Sequence, residues 1–295
     1  MSLEIGSTKL QFAFFGQDGY LHKCIKYGAY SQHSIRAKRI DLTLFLDFVM
    51  KTNPKPTLNA ITAEVLLTYV THLSLNYSPA SIVRRIATVR HFFSTTQREY
   101  NHPCPLTKWP RVYVSAPPIE RISEIRLRQI REELSGHDYR SLMESAMFET
   151  ILHSGLRASE VISLQTHCIN FSASKFERVL RKGKKIQDVY FAEQLTHYLR
   201  PYLAERARLG IKSKLLFCYE SGKKVNYEAL KRLMQKVGYQ AHLGRHEFVS
   251  TVYEKTNDLA FTCNRAGHSD PKTTMRYIHR ETNTINDKLN GAFLK

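Results

Sequence analysis

The sequence predicts a mostly α-helical protein of two domains, the second an α+β domain with one small β-hairpin or sheet. Three observations predict this. Apolar residues recur at helical spacing along most of the chain, a proline-rich stretch interrupts them just before residue 118, and one pair of strand-like segments flanks a short basic tip.

Residues 1–33 are mixed and aromatic and carry no assignable period. From Ser34 the pattern turns helical. Leu42, Phe45, Leu46 and Val49 share one face, and Arg36, Lys38 and Arg39 lie in the first turns. A second helix is expected over Thr62–Asn76, with Val65, Leu66, Tyr69, Val70 and Leu73 as its apolar stripe. A third starts at Ser78-Pro79, a capping residue followed by proline at the first helical position, where a missing N–H does no harm. It carries Ile82, Ile86, Val89 and Phe93 inward and projects Arg84, Arg85 and Arg90 from its other faces. Asn101–Pro118 holds five of the ten prolines and reads as an extended connection, because proline lacks the backbone donor a helix needs. The expected division is a helical domain over residues 1–116, a linker over 117–122 and a second domain over 123–295.

In the second domain Ser123 is the expected cap of a helix carrying Leu127, Ile130 and Leu134. Another helix runs from Tyr139 to Ser154 and stops at Gly155, and a short one follows from Ala158. Residues 176–192 read as a β-hairpin whose arms are FERVLR and IQDVYFA and whose tip is Lys182-Gly183-Lys184-Lys185. A helix with Leu195, Tyr198, Leu199, Tyr202 and Leu203 comes next, and LLFC at 215–218 is expected as a third strand. Helices complete the chain. One is opened by Asp270 and Pro271, and a short one with Ile285, Leu289 and Phe293 lies in the tail.

Lys and Arg total 44 against 26 acidic residues, a net charge of +18. The excess is shared, 14 against 6 before residue 117 and 30 against 20 after it, so it is not a detachable tail. Such a charge suits a polyanion, because each contact to a phosphate releases condensed counterions. The five cysteines form no CxxC pair and their number is odd, which excludes a disulfide framework or a zinc site. No histidine pattern has metal-ligand spacing and no nucleotide-binding loop is present, so neither a metal nor another cofactor is expected. No apolar run reaches membrane-span length, and the opening MSLEIGSTKLQFAFFG lacks the features of a secretion signal. A cytoplasmic protein without membrane partners is the expectation.

Four local patterns follow one another in the second domain: HSGLRASEV at 153–161, RKGKK at 181–185, HLGRHEF at 242–248 and AGHSDPKTTMRYIH at 266–279. Singly, each fits ordinary surface or core residues. Together and in this order they resemble the catalytic signature of the tyrosine recombinase family, which includes Xer proteins, phage integrases and transposon-borne recombinases. The resemblance spans Ser123 to Lys295. It maps the family's Arg, Lys, His-x-x-Arg, His and Tyr onto Arg157, Lys182, His242, Arg245, His268 and Tyr277, the last two nine positions apart.

Phosphodiester cleavage builds negative charge on non-bridging oxygens, and fixed cations aimed at them are the main source of rate. Arg157 and Arg245 would form that clamp, since a guanidinium stays charged and grips phosphate bidentately. Glu160, three residues after Arg157 on the same helical face, would hold its guanidinium or accept a proton nearby. The resemblance makes Tyr277 the nucleophile, forming a 3′-phosphotyrosyl bond. It makes His242 the base, His268 a hydrogen-bond donor to the phosphate and Lys182 the acid for the leaving 5′ oxygen. Lys184 and Lys185 compete with Lys182 for that last role, and both are otherwise candidate DNA contacts, as are Arg36, Lys38, Arg39, Arg84, Arg85 and Arg90. The first domain resembles, by helix pattern and placement, the family's core-binding domain, so the pair would form a clamp around DNA. Since residues 1–33 are short for a further arm-binding domain, the simpler two-domain architecture is the expectation.

The expected partners are a double-stranded recombination site, further copies of the chain in a synaptic tetramer held through the tail, and an accessory DNA-bending protein. Association with the nucleoid follows. Two alternatives stay open: type IB topoisomerase-like relaxation, and non-catalytic DNA binding.

Overall fold

The computed structural model describes residues 8–27, 30–100, 102–114, 121–181, 185–240, 243–267 and 271–275. The chain divides into two units, Met1–Pro117 and Pro118–Lys295.

The first unit is helical. It holds α1 (Leu10–Phe15), α2 (Tyr20–Lys26), α3 (Gln32–Met50), α4 (Ala63–Asn76) and α5 (Pro79–Tyr100). Helices α1 and α2 occupy the stretch that showed no period. Six or seven residues are too few to display one, yet Leu10, Phe14, Tyr20, Leu21 and Cys24 are buried and hold them in place. Helix α3 begins at Gln32, two residues ahead of the expected start, because the Ser31 hydroxyl accepts the Ser34 N–H and sets the cap there. Thr62 caps α4 in the same way through the N–H of Val65. The core centres on Phe14, Phe45, Tyr69, Phe92 and Phe93, with Phe14 edge-on to Phe92 at 4.7 Å between centroids. Asp41 is fully buried among these helices. Arg84 donates to both its oxygens, at 2.6 and 2.5 Å, and the Thr88 hydroxyl donates at 2.9 Å.

The second unit holds α6 (Glu124–Glu133), α7 (Tyr139–Ser154), α8 (Ala158–Val161), β1 (Ile169–Asn170), β2 (Lys175–Leu180) and β3 (Ile186–Tyr190). It continues through α9 (Thr196–Arg208), α10 (Tyr227–Lys236), α11 (Leu243–Thr256), α12 (Leu259–Ala266) and α13 (Pro271–Met275). Helix α7 is the hub. It is buried on several sides, through Met143, Ala146, Met147, Phe148 and Ile151, and packs against α9 and α11. The sheet is antiparallel in the order β1-β2-β3. A bulge between Phe176 and Val179 puts Arg178 at φ 53° and restores the alternation beyond it, with Val179 inward, Leu180 outward and Arg181 inward.

The third strand is therefore Ile169–Asn170, paired with Phe176 and Lys175, and not the expected 215–218. That segment is buried but shows only single bridges, Gln165 to Leu215 and Cys218 to Lys224. Side chains take its carbonyls instead. Arg206 donates to Leu215 and Leu216, Tyr202 to Leu216 and Tyr139 to Cys218, so three of its four carbonyls are satisfied without a ladder.

Candidate active site

The site begins where α7 ends. Gly155 terminates the helix in the left-handed region at φ 61°, and a Cβ there would lie 2.3 Å from the Phe248 ring on α11. Only glycine meets both demands. The turn buries Leu156 completely and delivers Arg157 as the residue that opens α8. Glu160 reaches back to accept the Arg157 backbone N–H at 2.9 Å and its guanidinium at 2.8 Å. The Arg-x-x-Glu spacing thus has a local reason, the acidic half of a capping box, before it has a chemical one.

Arg245 lies in the first turn of α11 and is only 5% exposed. It donates through Nη1 to the Gly155 carbonyl and through Nη2 to the Ala266 carbonyl at 2.7 Å. Gly155 caps α7 and Ala266 is the last residue of α12. The final carbonyls of a helix lack intrahelical donors and carry the negative end of its dipole, which makes them natural acceptors for a cation. Arg245 thereby joins the ends of two helices and is itself oriented by them.

Arg181 follows β2 and is 6% exposed. Its Nε and Nη2 lie 3.4 Å from the two Glu160 oxygens, and Nη2 also donates to the Ala266 carbonyl at 2.9 Å. Its backbone N–H donates to the Lys185 carbonyl at 2.7 Å at the base of the hairpin. Gly267, at φ 64°, leaves room for this guanidinium, since a Cβ there would lie 2.6 Å from Nη1. One connected chain results: Arg157, Glu160, Arg181, the Ala266 carbonyl, Arg245 and the Gly155 carbonyl. It contains three cations and one carboxylate, a net charge of +2. Burial alone would raise the Glu160 carboxyl. The Arg157 backbone N–H and the Arg181 and Arg157 guanidiniums outweigh that and hold it below the usual glutamate range.

Two further ion pairs brace the surroundings. Glu149, buried on α7, accepts from Arg131 at 2.7 and 3.1 Å, and His153 Nε2 lies 3.0 Å away. Glu247 accepts from the Arg121 guanidinium and from the Ile122 N–H, tying the described start of the second unit to α11. Arg265 stacks over the Tyr190 ring at 4.5 Å, a second tie between the hairpin and α12.

Arg157 and Glu160 at the start of α8 are thus brought together with Arg245 on α11. Lys182, Lys184, His242, His268 and Tyr277 lie outside the described residues, as do Asp270 and the tail. Lys185 is exposed beside the hairpin base. In the first unit Arg36, Arg39 and Arg90 are exposed. Lys38 donates to the Tyr20 hydroxyl at 2.7 Å and sits 4.8 Å above the Tyr30 ring. Arg84 is held by Asp41, and Arg85 stacks 3.6 Å over Tyr77 with its Nε 3.9 Å from Asp41. Arg181 was without a role in the sequence. Regular alternation from Phe176 would turn Arg181 outward; the bulge between Phe176 and Val179 reverses this, so the sequence carried no signal for it.

Among the described residues no cluster of His, Cys, Asp or Glu could hold a metal ion, and no helix is long and apolar enough to cross a membrane.

A family model described as the phage integrase family matches residues 120–284, and one described as phage integrase, N-terminal SAM-like domain, matches residues 18–100. The chain is 26% identical over 265 residues to the tyrosine recombinase XerD of Staphylococcus epidermidis, covering 84% of this chain and 88% of that protein. It is 26% identical over 277 residues to the tyrosine recombinase XerC of Halalkalibacterium halodurans, covering 88% and 90%. In fold it resembles the XerH site-specific recombinase bound to palindromic difH substrate, with a TM-score of 0.72 and 19% identity over 91% of this chain and 82% of that one. It also resembles the Tn1549 transposon integrase in complex with transposon right end DNA, with a TM-score of 0.75 and 12% identity over 96% and 99%.

Proposed function

This chain belongs to the phage integrase family, and from that premise we propose a site-specific DNA recombinase that cleaves and rejoins strands through a 3′-phosphotyrosyl intermediate on Tyr277. The observation that carries this reading is the convergence of Arg157 and Arg245, distant in sequence, on one network of net positive charge. A phosphodiester gains negative charge as it becomes five-coordinate, and two preorganised guanidiniums stabilise that charge more than the ground state.

In the proposed step the Tyr277 oxygen bonds to phosphorus, passing its proton to His242, and the bond from phosphorus to the 5′ oxygen breaks. Lys182 supplies the proton that the departing oxygen takes up, and His268 donates a hydrogen bond to the phosphate. The phosphotyrosyl ester retains the energy of the broken bond. An incoming 5′ hydroxyl therefore reverses the step without an external energy source. Residues 123–295 carry this chemistry, and residues 1–116 grip the same duplex, joined by a linker over 117–122. The tail after Asn283 links copies of the chain into a synaptic tetramer, to which an accessory DNA-bending protein can add. The site of action is the nucleoid, in the cytoplasm, as the charge of +18 supports.

The test is a nicked duplex carrying a site selected from a random library by binding to the wild-type protein, incubated without metal. A denaturation-resistant adduct with wild type and none with Tyr277→Phe is the expected result. Specific binding without any adduct refutes catalysis. Relaxation of plasmids that lack the site favours a topoisomerase instead.

A further inference from the structure

We propose that Arg181 is a positioning residue of this reaction, acting as the counter-charge that frees Arg157 to serve the phosphate and as a second anchor for the carbonyl that orients Arg245. The inference rests on the recombinase reading and deepens it.

Glu160 presents a difficulty to that mechanism. Its carboxylate is 3% exposed and touches Arg157 at 2.8 Å. An isolated buried carboxylate there would neutralise the cation meant for the scissile phosphate. It cannot simply be absent, because it fixes Arg157 through both backbone and side chain. Arg181 resolves this. Its guanidinium faces both Glu160 oxygens and is almost wholly buried, so it is not itself available to DNA. The Arg181–Glu160 pair is internally neutral, and Arg157 and Arg245 retain two net charges. Arg181 also shares the Ala266 carbonyl with Arg245, at 2.9 and 2.7 Å. Two donors on one acceptor fix its direction more tightly than one. Gly267 leaves the space that this shared geometry requires. Partners that orient metal-bound ligands typically contribute about 10- to 100-fold to activity, and an orienting partner of a phosphate clamp is expected to act on the same scale.

The experiment is single-turnover cleavage by the full chain on three versions of the library-selected nicked site. One is ordinary DNA. The second carries a methylphosphonate at the scissile position, which removes the non-bridging charge. The third carries a bridging 5′ sulfur, which leaves without a proton. Arg181→Gln is expected to cleave ordinary DNA about 10- to 100-fold more slowly. The loss should shrink several-fold on the methylphosphonate and persist on the bridging sulfur substrate. An equal loss on all three overturns the proposal, and so does a loss removed by bridging sulfur, which would place Arg181 behind leaving-group protonation. Arg181→Lys keeps the counter-charge at Glu160 and carries the test if the glutamine variant does not fold. A loss on ordinary DNA that shrinks on the methylphosphonate and persists on bridging sulfur supports the proposal, and an equal loss on all three overturns it. Absence of any adduct with wild type refutes the recombinase reading and this inference together. A wild-type adduct with the wrong substrate pattern refutes the inference alone.

Discussion

Replacing Gly155 by alanine tests whether the end of α7 is as constrained as its geometry implies. Two costs can be worked from the structure. The residue sits at φ 61°, where a Cβ crowds the following carbonyl by about 1–2 kcal/mol. The same Cβ would lie 2.3 Å from Phe248 Cδ1, far inside van der Waals contact, so the ring or α11 must shift, at about 1–3 kcal/mol. The sum is about 2–5 kcal/mol, which lowers the melting temperature of a unit of this size by about 4–20 °C. The assay is thermal and urea unfolding of the full chain followed by far-ultraviolet circular dichroism. The double variant Gly155→Ala/Phe248→Leu separates the two terms, because a smaller side chain relieves the overlap but leaves the backbone strain. Cleavage should fall further than stability, because the Gly155 carbonyl orients Arg245. A change in stability under about 0.5 kcal/mol, the size seen for unconstrained surface positions, would refute the reasoning.

Other expectations follow from the same contacts. Glu149 is buried, which alone would raise its carboxyl, but His153 and Arg131 hold it below the ordinary range, and Glu160 is likewise lowered. A depressed carboxyl stabilises the fold above its unfolded value of about 4.3 and loses that contribution as pH falls through the folded value. The urea midpoint should therefore drop with acid below about pH 4.3, and Glu149→Gln should flatten the profile at a lower plateau. Asp41→Asn should destabilise the first unit by about 2–3 kcal/mol, below the loss for a fully buried pair because Arg84 is 45% exposed. Hydrogen exchange in α3 and α5 would report it. Arg36→Ala, Arg39→Ala and Arg90→Ala should each reduce the salt dependence of DNA binding by about one counterion. Arg85→Ala should instead lower stability with the slope unchanged, which a titration at several salt concentrations distinguishes.

Much of this protein could be read from its sequence. Most helices of both units follow from apolar spacing and, at Ser123, from a cap whose hydroxyl accepts the Arg126 N–H, whereas the Ser31 cap sets the start of α3 ahead of the apolar pattern. The hairpin follows from its alternation, and the ordered patterns at Arg157, Arg245 and Tyr277 point to one chemistry. These are short-range signals, decided by residues a few positions apart. The first two short helices and the strand at Ile169–Asn170 escaped that reading, because each is too short to show a period and is held by what it packs against. Tertiary structure alone decided which cations are free. Arg84 and Arg85 look like surface charges until α5 meets Asp41 on α3. Arg181 looks like one more lysine-tip neighbour until the hairpin base meets Glu160 and the end of α12. A guanidinium's identity is written locally, but its counter-ion is chosen by the packing of elements that, for Arg121 and Glu247, are 126 residues apart, and that choice separates an arginine that braces the fold from one that can serve a phosphate.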